Sequence, residues 1–447
     1  MNNPTPAPEP KKVSLREALP FWFKLGFISF GGPAGQIAIM HRELVEQKRW
    51  ISEKRFLHAL NYCMVLPGPE AQQLATYIGW LMHRTLGGVI AGLLFVLPSL
   101  FIMIALSWIY MAYGNIPVVA GLFYGIKAAV AAIVVQAVHR IGTRALKNSL
   151  LWMIAALSFI GIHHFHLHYP AIVASAALLG YLGGKVAPGH FTVSSGHGAA
   201  NPPLGPAIID DNTPTPLHAI FSWNRFRWLV ILGIIFWWAP MLVLVTVFGW
   251  DYTLAQMGWF FSKAALLTFG GAYAVLPYVY QGAVEHYHWL TSEQMIDGLG
   301  LGETTPGPLI MVVAFVGFIG AYTQHLFGEH LFLAGAAAAT LVTWFTFLPS
   351  FFFILMGGPL VETTHDNLKF TAPLTAITAA VVGVMLNLAL FFAHHVLWPD
   401  SHGHRFDYAA ATLALGAAVA LFKYKRSVME VIAVCAVLGL LLKLAGI

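Results

Sequence analysis

The chain has 447 residues, 58% of them hydrophobic and only 10% charged, where a soluble domain carries about 25% charged. No water-soluble fold of that length hides so much apolar surface, so the composition predicts an all-α polytopic membrane protein with lipid on its outside. The 24 Lys and Arg exceed the 19 Asp and Glu by five. They lie between hydrophobic stretches rather than in one patch, which argues against a nucleic-acid surface and fits the positive-inside pattern. Cys63 and Cys435 sit far apart in apolar surroundings, so no disulfide framework and no CxxC pair exists.

In chain order, residues 1–13 are a Pro-rich tail, read as cytoplasmic, and residues 1–20 lack the apolar core of a signal peptide. A helix starts at Ser14. The run Phe30-Gly31-Gly32-Pro33 breaks it, a basic stretch follows at 41–56, and Pro67-Gly68-Pro69 makes a second break. The segments beside each break are about 10 to 17 residues, too short to cross a bilayer singly. Residues 15–48 and 56–83 are therefore expected to be re-entrant hairpins that return to the cytoplasm. Spans are expected near 87–113, 118–138, 149–162 and 170–186, completing a first repeat over 14–190. Residues 187–224, rich in Gly, Pro, Ser and Asn, read as a solvated cytoplasmic linker. Residues 226–248 are the length of one connecting transmembrane helix. A second repeat over 252–447 follows, with spans near 332–356, 370–394, 408–422 and 428–445.

The repeat rests on register. Phe30-Gly31-Gly32 recurs as Phe269-Gly270-Gly271, a spacing of 269 − 30 = 239, and at that spacing Lys24 meets Lys263, Trp50 meets Trp289, and Pro67-Gly68-Pro69 meets Pro306-Gly307-Pro308. After an insertion near 324–330, Leu97-Pro98-Ser99 returns as Leu348-Pro349-Ser350. The stretch 41–56 carries Arg42, Lys48, Arg49, Lys54 and Arg55, whereas its partner 280–295 has no Lys or Arg. Equivalent loops then face opposite sides, and the repeats are expected to be of inverted topology. A rival threading, with each broken segment as one full span, puts Arg140, Arg144 and Lys147 opposite Arg42 to Arg55.

The Phe30-to-Pro33 run, the Trp50 loop, Leu66-Pro67-Gly68-Pro69 followed by the 72–79 stretch Gln-Gln-Leu-Ala-Thr-Tyr-Ile-Gly, and Thr305-Pro306-Gly307-Pro308 resemble the chromate ion transporter family in its two-domain, long-chain form. The resemblance covers essentially the whole chain. It implies a bacterial plasma-membrane protein that exports chromate from the cytoplasm, confers chromate resistance, and transports or is inhibited by sulfate. The second copy departs from the pattern, with Ala272 in the place of Pro33, which puts the equivalence of the two tips in question.

The residues themselves support an oxyanion site. Gly31, Gly32, Gly270 and Gly271 free the backbone at two breaks, and Pro67, Gly68, Pro306 and Gly307 do so at the others. Each break starts a helix at membrane depth, where unpaired N–H groups carry roughly +0.5 charge, suited to a tetrahedral dianion. Lys24 and Lys263, at membrane depth in both copies, are candidates to balance that dianion, with snorkelling to the interface as the alternative. Ser29, Thr268, Gln72, Gln73 and Thr305 are candidate hydrogen-bond donors, though helix capping would equally occupy the hydroxyls. Glu70, Glu303 and Lys127 are candidates for proton coupling or for counter-ions. The histidine clusters 163–168 and 394–404 lack a ligand set of fixed geometry, so no metal or other cofactor is expected. Without a Walker loop, ATP-driven transport within the chain is not expected either. A sulfate or other oxyanion uptake carrier and a polytopic metalloenzyme are the alternatives. A homo-oligomer stays open.

Overall fold

The structure, a computed structural model, describes residues 13–114, 116–186, 189, 191, 205–211, 213–363, 371–399 and 405–446. Among them there are sixteen α-helices and no strand. The first half runs α1 (Leu15–Ile28), α2 (Gly32–His41), a π-helical turn (Arg42–Gln47), α3 (Glu53–Val65), α4 (Glu70–Tyr113), α5 (Pro117–Ala145), α6 (Ser149–His163) and α7 (Tyr169–Val186). A single helix, α8 (Trp223–Phe248), joins it to the second half. There α9 (Thr253–Leu267), α10 (Ala272–Tyr280), a π-helical turn (Gln281–His286), α11 (Ser292–Thr304), α12 (Val312–Thr323), α13 (Leu331–Thr363), α14 (Thr371–Leu397), α15 (Tyr408–Phe422) and α16 (Val428–Leu444) follow.

The spacing of the sequence repeat is also a spacing of structure. It separates the two π-helical turns (281 − 42 = 239), the starts of α3 and α11 (292 − 53 = 239), and the left-handed residues Arg49 and His288 (288 − 49 = 239). The breaks fall where Gly-Gly and Pro-Gly-Pro predict them. In addition, α4 is two helices folded against each other: His83 and Arg84 leave the helical region, Arg84 at φ +59°. Glycines let the two arms touch, since a Cβ on Gly79 would lie 2.6 Å from the Gly87 carbonyl oxygen and one on Gly88 2.9 Å from that of Thr76. In the second half the same reversal uses the 324–330 insertion between α12 and α13. Gly317 there packs so closely on α13 that a Cβ would lie 3.0 Å from the Ala338 carbonyl oxygen.

Among the described residues, five helices are long and apolar enough to cross a membrane: α4, α5, α8, α13 and α14. By contrast α6 and α15, expected as full spans, have 15 residues each, about 22 Å at 1.5 Å per residue, short of a hydrocarbon core of about 30 Å. Much of α8 is exposed and apolar, including Trp228, Ile235 and Leu242, the surface that lipid covers.

The linker is not wholly solvated. Residues 205–211 dock on the loop after α2: Ser52 N donates to Ile209 O (2.9 Å), Ile209 N to Trp50 O (3.0 Å), and Ser52 Oγ to Asp211 Oδ1 (2.6 Å). Ile209 and Ala219 are buried there, because a backbone edge and apolar side chains hidden among Gly and Pro can still pair with a complementary loop. The stretch 192–204 lies outside the described residues.

Candidate functional site

Four chain breaks meet, with Gly68, Gly271 and Gly307 buried, Gly32 partly buried, and Gly31 and Gly270 exposed. Their six glycines all have positive φ: Gly31 +87°, Gly32 +68°, Gly68 +125°, Gly270 +78°, Gly271 +95° and Gly307 +98°. An L-residue would cost about 1–2 kcal/mol at each, which is why glycine recurs there. The breaks interlock reciprocally. Gly68 N donates to Thr268 O and Gly307 N donates to Ser29 O, each at 2.7 Å, so the Pro-Gly-Pro tip of either half is bound to the Gly-Gly tip of the other. Gln36 Nε2 adds a bond to Gly307 O (2.5 Å). The backing is reciprocal too: a Cβ on Gly68 would lie 2.2 Å from Ser350 Oγ, and one on Gly307 2.9 Å from Ser99 Cβ. Ser99 and Ser350 are the repeat-related serines of α4 and α13, so each tip rests on the long helix of the opposite half.

The tips differ where Ala272 replaces proline. Gly31 is left-handed (ψ +24°) and α2 begins at Gly32, with Pro33 in its first turn. Gly271 is extended (ψ +174°) and α10 begins one position later, at Ala272.

Helix starts at the tips share the lack of a side-chain cap with those of α5, α8 and α9, after Ile116, Ser222 and Tyr252, and differ in this from six others. Ser14, Ser52, Asn148, Thr291, Asp407 and Ser427 all cap their helices with a side-chain oxygen. At Gly31, Pro69, Gly271 and Pro308 no side chain caps the N–H groups that follow. Uncapped N-termini carry partial positive charge and open donors. Unpaired polar atoms lie beside them: Ser29 Oγ, Gln72 Oε1, Gln73 Oε1 and Ser99 Oγ are buried without a partner. Buried polar groups are satisfied in the great majority of cases, and four of the eight unpartnered side-chain atoms among the described residues lie here.

The other expected donors are engaged. Thr268 Oγ1 donates to Ala264 O (2.7 Å), and Thr305 Oγ1 to Leu301 O (2.7 Å). Of the candidate hydroxyls of Ser29, Thr268 and Thr305, only that of Ser29 lacks a partner among the described residues. Gln72 Nε2 donates to Thr76 Oγ1 (2.9 Å) and Gln73 Nε2 to Pro67 O (2.8 Å).

The carboxylates near the tips, Glu70 and Glu303, are the expected ones, and the positive charge near them comes from two arginines that sequence reasoning did not single out for the site. Glu303 is buried and accepts a hydrogen bond from the Tyr273 hydroxyl. The Arg140 guanidinium, on α5, lies 6.0 Å from the Tyr273 ring centroid and acts on the Glu303 carboxylate, while Arg144, one turn on, acts on Glu70. Glu70 Oε1 is in turn 4.0 Å from where a Cβ on Gly271 would lie. Neither guanidinium makes a hydrogen bond or ion pair among the described residues.

The structure does not bring the paired lysines to the tips. Lys24 is exposed on α1 beside exposed Phe23 and Phe27, on the face opposite buried Phe21, Trp22 and Leu25. Lys263 is half-buried, its ammonium 5.6 Å from the Trp259 ring centroid. Lys127 bridges Glu293 (3.2 Å) and Asp297 (3.4 Å), and the buried Asp297 also accepts from Tyr110 Oη (2.9 Å). A second inter-half cluster joins Arg55 Nη1 to Glu362 Oε2 (2.6 Å), with the Tyr77 hydroxyl donating to the other oxygen. Of the histidines, His163 bonds Asn387 and His395 bonds Phe391 O; 402 and 404 lie outside the described residues.

Long apolar helices, two halves repeated in register, and chain breaks that interlock beside buried Ser29, Gln72, Gln73 and Ser99 define the class: a multi-pass helical protein of the cell membrane with broken helices around a polar centre. More particularly, the chain belongs to the chromate transporter family, whose description, "Chromate transporter", matches residues 17–181 and 255–440. The chromate transport protein of Cupriavidus metallidurans is 28% identical over 431 residues, 96% of this chain and 93% of that protein. That of Pseudomonas aeruginosa is 34% identical over 381 residues, 84% of this chain and 80% of that protein. A probable chromate transport protein of Synechococcus elongatus is 28% identical over 83% of each chain. No solved structure matches. The family and the apolar helices place the chain as a multi-pass protein of the bacterial cell membrane.

Proposed function

We propose that this protein exports chromate, a tetrahedral dianion, from the cytoplasm, and that the anion passes the interlocked tips. The observation that carries this reading is the meeting of four uncapped helix starts beside the unpartnered Ser29, Gln72, Gln73 and Ser99. Open N–H groups at helix N-termini suit a dianion. In this reading Arg140 and Arg144, rather than Lys24 and Lys263, supply the compensating charge, because the arginines lie near enough to Glu303 and Glu70 for their charges to act on them, with Arg140 6.0 Å from the Tyr273 ring centroid. A guanidinium presents a planar fork of donors to two oxygens of a tetrahedral anion.

The energetics need no second substrate. One charge moving through 100 mV is worth about 2.3 kcal/mol, so a departing dianion gains about 4.6 kcal/mol, a concentration ratio of about a thousandfold. Membrane potential alone suffices, and exchange for sulfate, a dianion of the same shape, uses the same centre. The test is radiolabelled chromate flux in proteoliposomes under an imposed potential, with and without sulfate or a pH gradient on the opposite side. Flux should follow the potential and should fall at least tenfold in Arg140→Ala. Potential-independent flux, or an Arg140→Ala variant as fast as the parent, would refute the reading.

A further inference from the structure

A second basic site lies away from the tips, where the reversal inside α4 meets the residues leading into α8. A cavity of about 310 Å³ opens there, lined by Trp80, Arg84, Thr85, Leu217, His218 and Arg225. Two guanidiniums and an imidazole face it, and no carboxylate is among its lining residues. We propose that this cavity binds a phosphate-type tetrahedral anion, carried by an anionic phospholipid headgroup or free in solution.

Three observations build the site. The first is strain. Arg84 sits at φ +59°, ψ −164°, a conformation close to glycine-only for which an L-residue is penalised. Glycine is plentiful in this turn, at 79, 87 and 88, yet the strained position holds an arginine, and that arginine lines the cavity.

The second is fixation. The Arg225 guanidinium donates through Nη1 to the His218 carbonyl oxygen, which orients the fork while leaving its other N–H groups for a ligand. His218 is itself held by a 3.0 Å bond between Nε2 and Trp80 O and by an edge contact with the Trp80 ring. Burial, reinforced by the Arg84 and Arg225 charges and opposed by the Trp80 carbonyl, holds His218 below its ordinary value. Among the described residues the cavity's lining thus holds two arginines and no carboxylate, and an anion entering it relieves their mutual repulsion.

The third is position. Leu217 and Trp223 beside the cavity are strongly exposed apolar side chains at the start of the membrane-length α8, the setting of interfacial anchors. A phosphate at that depth sits where lipid headgroups lie. The site is independent of the transport reading, because none of its residues belongs to the tips.

The experiment uses the full-length protein in phosphatidylcholine nanodiscs, with two probes added separately: phosphatidylglycerol, read by native mass spectrometry and thermal shift, and millimolar inorganic phosphate, read by thermal shift. The parent should prefer one probe over phosphatidylcholine or chloride by about tenfold, the scale of a charge-assisted arginine contact. A preference for phosphatidylglycerol alone identifies the lipid, and a response to phosphate identifies the free anion. Arg225→Ala and Arg84→Gly should each abolish the effect. Arg84→Gly is the decisive variant, because glycine adopts φ +59° without penalty, so its unfolding temperature without ligand should equal or exceed the parent's and lost binding cannot be laid to misfolding. Absence of any preference in the parent, or an undiminished preference in both variants, overturns the proposal.

Discussion

Removing the Lys127 ammonium should destabilise the protein far more than removing its charge partner. Asp297 is 2% exposed. One of its oxygens accepts from Tyr110 and faces Lys127 at 3.4 Å, and the other has no partner. Lys127→Met leaves that carboxylate buried with a single hydroxyl for company, a change worth about 3–5 kcal/mol, against a total stability of order 5–15 kcal/mol. Asp297→Asn leaves Lys127 its second carboxylate, Glu293, at 3.2 Å and half-exposed, so only about 1–2 kcal/mol should be lost. The double variant, with neither charge stranded, should recover at least about 2 kcal/mol of the sum. Because α5 and α11 belong to different halves, the coupling measures how firmly the halves are tied. The assay is reversible unfolding in mixed micelles by SDS titration, followed by circular dichroism. A Lys127→Met variant within about 1 kcal/mol of the parent, or strictly additive losses, would refute the reasoning.

Gly68→Ala should lose transport and about 1–3 kcal/mol of stability, since its Cβ would meet Ser350 Oγ at 2.2 Å on a backbone at φ +125°. Adding Ser350→Gly should restore the part due to the clash and not the part due to φ, which thermal unfolding of the single and double variants separates. Cysteines placed at Lys54 and Glu293 should label from opposite sides of the membrane with an impermeant maleimide; same-side labelling would end the inverted-repeat reading. Acidification should weaken the fold through His218. Its value in the folded state lies below the ordinary 6.5, so the folded state resists protonation and stability falls as pH drops below about 6.5 while staying level above it. His218→Asn should flatten that limb of the pH profile, read as unfolding temperature.

Much of the architecture was legible because it is written in the backbone. Gly-Gly and Pro-Gly-Pro can hardly sit inside a straight helix, so their positions located the tips, and the register between Gly68 and Gly307 carried over to their reciprocal bonds. Lys24 went astray for a reason the sequence does contain. Arm length gives depth, but the face of a helix follows from periodicity, and Ala18, Phe21, Trp22, Leu25 and Ser29 form a buried stripe at i, i+3, i+4 spacing that excludes position 24. Arg140 and Arg144 were readable only as topology markers, because nothing local says that α5 passes the tip of α10. Asp297 was invisible for the same reason: its lysine lies 170 residues earlier (297 − 127) on a helix of the other half.

The reciprocal bonds restrict how such a centre can work. Gly68 is tied to Thr268 and Gly307 to Ser29, so a tip of one half cannot shift without dragging or releasing a tip of the other. Beyond the tips, α4 is held to the second half through two carboxylates, Glu362 by Tyr77 and Asp297 by Tyr110, on its short arm and at the far end of its long arm. Both clusters are formed in this structure, together with both tip bonds. In the proposed reading, an anion crossing from one side to the other parts these groups in turn, since parting all of them at once would replace a carrier with a continuous polar leak. The cations Arg55 and Lys127, which come from the first half, each neutralise a carboxylate of the second. Opening either cluster therefore strands a buried carboxylate, unless a proton takes the lost partner's place. That requirement makes the order of opening a matter of charge compensation, and it is where substrate passage and the membrane potential would meet.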